Sequence, residues 1–378
     1  MTTGASSMKV ALVHDYLREY GNAERVLQGL HHLYPQAPVY TAFIDYKGLG
    51  EHGDRFAGWD IRPTIAQQLP GITQLFHAYR LGIPYFWEPL DLSEYDLVIS
   101  CSSSYLSQAV LTHSQTLHIN YCLTPPRYLW EPIPITPYPS NWYTRWVDTT
   151  LRQYDFYAAQ RVDRWITNSE IAARRIRKFY RRQVEVISPP VPVQGYGEAG
   201  DRYYLYMGSL TAEQQVDLAV AACSQLNRPL WVVGTGEEAE RLQHIASPCV
   251  QFLGNVPSTQ LSELYAGAIA VIHPSAYEDF GFVPVEAMGR GIPVIASAQS
   301  GMKDIILNFR TGLLFPQPTV ENLCEAIEQF EKLRFSAQAC IERAEEFAES
   351  VFAAKLEWFI AKALDDHQHG TSSSASES

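Results

Sequence analysis

Two carboxylates eight residues apart, Glu278 and Glu286, flank the string Asp279-Phe280-Gly281-Phe282-Val283-Pro284-Val285, just after an apolar run that ends His273-Pro274-Ser275. Such a pair straddles a loop and the start of a helix. Ionised oxygens suit a ligand rich in hydroxyl groups, because a hydrogen bond to a charged partner contributes roughly 1.5–3 kcal/mol. Gly281 lets a ligand come close to the backbone, Phe282 opens the helix, and amides at a helix start attract an anion such as phosphate. Taken alone, the two Glu residues read equally well as solvated caps; the whole string and its neighbours favour a strand-loop-helix phosphate site.

The elements that would position this string alternate along the chain. Lys9 to His14 is a short apolar run, followed by a turn at Gly21-Asn22 and a stretch from Ala23 to Leu33 with helical spacing. Further strand-like runs fall at Asp96–Ser100, Leu117–Cys122 and Arg164–Thr167, with helix-like segments between several of them. The Pro- and Gly-rich segment from Ser188 to Asp201 breaks the pattern. Alternation then resumes at Tyr203–Met207, Leu230–Val233, Val250–Leu253, Ala270–His273, Pro293–Ala296 and Leu313–Phe315. The expectation is an α/β protein of two doubly wound, Rossmann-like domains, covering residues 8–192 and 200–345, with ligands at the carboxyl ends of their sheets in a cleft between them. The amphipathic stretch Phe352–Leu364 reads as a helix, whereas residues 1–7 and 366–378 are small and polar and read as disordered.

Composition narrows the function. A chain of 378 residues with 46% hydrophobic and 19% charged residues has apolar material for two cores. A formal net charge of −12 excludes non-specific nucleic-acid binding, which depends on many Lys and Arg. The six cysteines are scattered, with neither zinc spacing nor the density of a disulfide scaffold, so a reducing cytoplasm is expected. His14, His113 and His273 form no metal spacing with an acidic pair, and no metal or other cofactor is expected.

The string from Glu278 to Met288 resembles the signature of glycosyltransferase family 4, retaining GT-B enzymes that include a mannosyltransferase-like group. The resemblance runs from Met8 to about Leu364. Val13-His14-Asp15-Tyr16-Leu17 and Gly21-Asn22-Ala23-Glu24-Arg25 are similar to the family's opening strand and glycine loop, and Tyr121 to Trp130 to its acceptor-side segment. Arg161 to Ser169 and Val186 to Val191 match the end of its first domain, and Phe252-Leu253-Gly254-Asn255-Val256 its base-side loop. The resemblance implies a GT-B fold whose last helix, 346–365, returns to the first domain. It also implies transfer of a sugar from a nucleotide diphosphate to a glycan or lipid-linked acceptor, as in polysaccharide biosynthesis. Glu278 would hold the donor sugar and Glu286 the ribose, with Gly281, Phe282, Gly21, Asn22 and Val256 also on the donor. Asp15 would be a catalytic group at the acceptor side, with Leu123 and Arg127 nearby.

Four positions depart from the family's pattern. Asn22 stands where relatives have a second glycine, Leu123 where they have a histidine, and Ser209 and Gln214 where they place the Arg and Lys that bind the diphosphate. Losing one donor aimed at developing charge typically costs about 2.7–4 kcal/mol in the transition state. Lys303 and Arg25 are the cations that could compensate. A catalytically impaired homologue that binds a nucleotide sugar, a glycan or a partner is therefore the competing expectation. The helix carrying Arg174, Arg175, Arg177, Lys178, Arg181 and Arg182 reads first as a solvated basic face and second as a peripheral contact with anionic lipid. Gly234-Thr235-Gly236 reads as a tight turn, and Pro132–Tyr143 as a stiff aromatic loop for an acceptor, a partner or its own domain.

Overall fold

The computed structural model describes residues 8–135 and 141–375, with the backbone alone for Ser258 and residues 370–375. The chain divides into two compact units. One runs to Pro132, resumes after residue 140 through Pro189 and finishes with the last helix from Phe352; the other is formed chiefly by Pro190–Val351.

The first unit is built on seven strands: β1 (Val10–His14), β2 (Val39–Thr41), β3 (Ile61–Pro63), β4 (Leu97–Ser102), β5 (Leu117–Cys122), β6 (Arg164–Thr167) and β7 (Glu185–Val186). All pair in parallel in the order β3-β2-β1-β4-β5-β6-β7. Every residue of β1, β4 and β5 is buried, as expected of strands covered on both faces. The order reverses between β1 and β4. The short outer strands β2, β3 and β7 escape a reading by apolar runs, because three residues or fewer carry no periodicity.

The second unit repeats the plan with β8 (Tyr203–Met207), β9 (Leu230–Val233), β10 (Val250–Gly254), β11 (Ala268–His273), β12 (Val294–Ser297) and β13 (Gly312–Phe315). Its parallel order is β10-β9-β8-β11-β12-β13, so the reversal falls between β8 and β11. Two Rossmann-like doubly wound domains, as read from the sequence, are what the chain forms.

The last helix is Glu349–Ala375, longer than its amphipathic stretch. Phe352, Leu356, Ile360 and Ala363, one helical stripe, are buried in the core that contains Leu12, Ile99 and Tyr121. Beyond Leu364 the helix carries polar residues, with His369 against Asp365 at 3.4 Å; residues 366–375, read as a disordered tail, are thus helical. Residues 1–7 lie outside the described residues. The loop reading of Pro132–Tyr143 is corrected at its end: Asn141 accepts from the amides of Tyr143 and Thr144 at 3.0 Å each, and this cap starts the helix Trp142–Arg161. Residues 136–140 are not among those described. Among the described residues no helix is long and apolar enough to cross a membrane.

Candidate functional site

In open α/β sheets, ligands bind at the carboxyl ends of the strands where strand order reverses. In the second unit, that place lies between the loops leaving β8 and β11. The β8 loop contains Gly208-Ser209-Leu210 and a turn Ala212–Gln214; the β11 loop carries Glu278 to the helix Phe282–Met288. They are stitched together: Ser275 Oγ donates to Glu213 O at 2.8 Å and Ala276 N to Gln215 Oε1 at 2.8 Å. Gln215 reaches this position with φ of 50°, the left-handed region that side chains rarely adopt. The structure also brings Gln214 to Glu278, with Nε2 to Oε2 at 3.3 Å. No sequence pattern announces this contact across 64 residues.

Neighbouring loops complete a rigid floor. Gly208 N donates to Val233 O, Leu210 N to Thr235 O and Gly234 N to Gly254 O, at 2.9–3.0 Å. A Cβ on Gly234 would fall 1.8 Å from Gly208 O, and one on Gly236 would fall 2.2 Å from Leu210 O. Gly234-Thr235-Gly236 is thus a close-packed turn. Gly301 N donates to Glu278 O at 2.9 Å. A Cβ on Gly281 would lie 2.7 Å from Met302 Cε, so a side chain there would make Met302 shift.

Glu278 and Glu286 are both half-buried, and Phe282 is buried. Tyr265 OH donates to Glu286 Oε2 at 3.4 Å, while the Arg290 guanidinium lies 4.5 Å from the Tyr265 ring and donates to Glu286 O at 2.9 Å. Tyr265 and Arg290, absent from the sequence reading, therefore hold this helix at Glu286, near its end. Pro284 contributes no amide to its first turn.

Cationic groups at this end are few. Ser209 is exposed, and its carbonyl accepts from Tyr206 OH at 2.9 Å. His273 ends β11, but burial pushes its pKa down to about 4, so it is neutral at physiological pH. Its Nε2 has no partner among the described residues. Lys303 is exposed on the short helix Met302–Ile305, two residues beyond the amide that bonds Glu278 O. Val256 is half-buried and, with Asn255, Pro257, Trp231 and Tyr203, lines a cavity of about 390 Å³. The Tyr203 and Trp231 rings in its wall stack at 3.8 Å. Among the described residues no cluster of three or more His, Cys, Asp or Glu could hold a metal ion.

The first unit treats its reversal point differently. Asp15, expected at the acceptor side, is 3% exposed. Its Oδ2 accepts from the amides of Ser103, Ser104 and Tyr105 at 2.7–2.9 Å, and its Oδ1 accepts from Ser107 N at 2.9 Å. With both oxygens so engaged, the carboxylate holds the loop after β4 instead of facing a ligand. Next to it, Glu24 Oε2 accepts from Gly21 N at 2.8 Å and Oε1 lies 3.2 Å from His14 Nε2. This fixes the Gly21-Asn22 loop. Gly21 has φ of −127° and Asn22 begins the helix Asn22–Leu33, so the turn expected at Gly21-Asn22 is the N-terminal end of that helix. A Cβ on Gly21 would meet only Glu24 Oε2, at an ordinary 3.5 Å. Leu123 is buried in the core at 7% exposure, and Arg127 is half-buried at the start of the turn Arg127–Trp130.

The match to a family model falls on the second unit. Residues 194–347 match the family model of glycosyl transferases group 1. A D-inositol 3-phosphate glycosyltransferase of Mycobacteroides abscessus is 30% identical over 45% of the chain and 41% of that protein. A GDP-mannose-dependent alpha-mannosyltransferase of Mycobacterium tuberculosis is 36% identical over 29% of each. The chain thus spans less than half the length of these curated relatives. Among solved structures, HepE of Anabaena in complex with UDP superposes with a TM-score of 0.70 at 17% identity, over 94% of this chain and 100% of that one. The lipopolysaccharide outer core galactosyltransferase WaaB gives 0.68 at 15%, over 96% and 100%. At such identities these likenesses establish the shared fold.

Proposed function

We propose that the chain is a retaining glycosyltransferase of family 4 type, taking a sugar from a nucleotide diphosphate to a glycan or lipid-linked acceptor. The observation that carries this reading is the end of the second sheet, where Glu278 and Glu286 stand on adjoining turns of a loop and helix at the strand reversal. Glu278 holds the hydroxyls of the donor sugar and Glu286 those of the ribose, while the base enters beside Val256. The group 1 match over these residues and the donor named for the mannosyltransferase relative support the assignment. In this reaction the leaving phosphate accepts the acceptor's proton, so no enzymic nucleophile is required. Gly21, whose φ any residue could adopt, keeps the face of its loop clear for the sugar phosphate. Asp15 positions that neighbourhood, and Arg127 meets an anionic acceptor.

Charge on the diphosphate falls to Lys303 and to neutral donors, since Ser209 and Gln214 replace cations. Gln214 already donates to Glu278, and this favours a second reading, a binding protein with impaired transfer. Titrating the protein with UDP, GDP and ADP and their sugars by calorimetry, alongside a turnover assay, separates the two. Transfer or donor hydrolysis supports the enzyme. Nucleotide-sugar binding without turnover across the panel selects the second reading, and no binding at all defeats both.

A further inference from the structure

We propose that the cavity of about 390 Å³ in the second unit binds a neutral pyranose unit, at a place separate from the donor's. Its volume is that of an ordinary small-ligand site. Strand β9 supplies Trp231, whose ring stacks on Tyr203 of β8 at 3.8 Å and stays half-buried in the cavity wall. Leu253 enters the lining from a bulge: β10 pairs Phe252 with Val232 and Gly254 with Val233, so Leu253 is the extra residue. A bulge re-aims a side chain and is over-represented beside active sites.

The helix Leu261–Gly267 stands between this cavity and Glu286. Its Glu263 and Leu264 line the cavity, whereas the next residue, Tyr265, donates to Glu286 Oε2 at 3.4 Å and lies 3.7 Å from Met207 Sδ. Successive residues project about 100° apart around a helix, so the cavity and Glu286 fall on different flanks. Of the cavity's lining residues only Val256 is also named for the donor. The far wall is locked in place. Tyr203 OH donates to Leu264 O at 3.0 Å and Arg202 N to Gly267 O at 3.2 Å. A Cβ on Gly267 would lie 2.5 Å from Arg202 Nη2 and closer still to Tyr203 OH, so the end of this helix and the entry to β8 touch directly.

The lining selects an uncharged occupant rich in hydroxyl groups. Arg202 and Glu263 are its two charged residues, and their charges cancel. The Arg202 guanidinium lies 5.5 Å from the Tyr203 ring, and among the described residues the side chains of Asn255, Gln260 and Glu263 have no hydrogen-bonding or ionic partner. A carboxylate, two amides and a guanidinium offer acceptors and donors on planar groups, as the neighbouring hydroxyls on the rim of a sugar require. The aromatic wall suits the remainder of such a ring, because the slightly positive C–H groups on the face of a pyranose meet the negative face of an indole. A nucleotide's base shares the stacking but brings a phosphate, for which the cavity holds no surplus cation.

Occupancy of this cavity does not require sugar transfer, so binding to the full chain tests it without turnover. Saturation-transfer NMR with the methyl glycosides of glucose, galactose and mannose, and with maltotriose and cellotriose, should show binding of at least one sugar. Tighter binding of a trisaccharide identifies the occupant as part of a glycan, and equal binding identifies it as a single sugar; either result supports the site. Glu263→Gln and Gln260→Ala, both at exposed positions, should each weaken binding about three- to tenfold. Trp231→Ala should weaken it by about tenfold or more. Glu278→Gln should leave it unchanged, and circular dichroism checks that all four variants stay folded. No transfer to any of the sugars, or undiminished binding by the Glu263 and Gln260 variants, overturns the proposal. So does loss of binding in the Glu278 variant, which would assign the signal to the donor sugar's place. Displacement of the sugar by UDP or GDP also overturns it, giving the cavity to the donor's base and leaving the reading of the chain as a glycosyltransferase intact.

Discussion

Both sheets reverse their strand order in the same way, yet they fill the reversal point differently. In the first unit the chain inserts its own anion: four backbone amides that could cradle a phosphate are already taken by Asp15. In the second unit Glu278 and Glu286 remain half-buried, met by Gln214 and Tyr265. One reversal point is closed and holds a loop; the other is the one we propose for a ligand. Sequence position alone does not separate a carboxylate that serves the fold from one that serves chemistry. What separates them is how many of its lone pairs the backbone consumes.

The largest effect should come from opening the closed point. Asp15→Ala would strand several buried amides and should destabilise the protein by about 3–5 kcal/mol in denaturant unfolding. A loss below about 1 kcal/mol would mean that the loop does not depend on the carboxylate.

Next comes the other buried carboxylate of the first unit. Burial pushes the pKa of Asp155 up to about 7, against hydrogen bonds from Trp130, Tyr180 and Gln108 that lower it. The folded state therefore holds a proton that the unfolded chain releases near pH 4, and the associated stability is lost as pH rises from about 4 through 7. Relative to Asp155→Asn, the parent should lose about 2–4 kcal/mol across that window, measured by unfolding at each pH. Parallel pH curves would show that Asp155 is ionised in the fold.

Changes at the open point should leave stability alone and alter binding. Glu278→Gln should lower kcat/KM by about ten- to a hundredfold, corresponding to roughly 1.5–3 kcal/mol for a lost charged hydrogen bond. Its unfolding curve should move by less than about 1 kcal/mol. Smallest is the gain expected from Gln214→Lys, which restores a cation beside Glu278 and should tighten UDP or GDP binding by about tenfold in calorimetry. No gain would indicate that Lys303 or the loop amides already supply what the diphosphate needs.

Long apolar runs made most of the architecture legible, because strands buried on both faces need continuous hydrophobic stretches. The loop and helix that carry Glu278, Gly281 and Glu286 were legible because they lie within one short string. Contacts between distant loops were not. Nothing in the segment Ser103–Ser107 or in Asp15 states that the two meet across 88 to 92 residues. The one available signal was that each directly follows an inner strand. Gln214 was seen as a lost lysine, but its bond to Glu278 depends on the left-handed turn at Gln215, which no local preference of glutamine foretells. The start of the helix Trp142–Arg161 was hidden because its first residues were grouped with the preceding prolines.

The contacts among Gly208, Gly234, Gly236 and Leu210 leave no room for even one added carbon at the two later glycines. Their backbones interlock like the teeth of a clasp, so the floor under a ligand resists remodelling by point mutation. Variation at the proposed site is thereby channelled into exposed side chains such as Ser209, Thr235 and Asn255. A lineage can exchange those one at a time while the frame beneath them stays put.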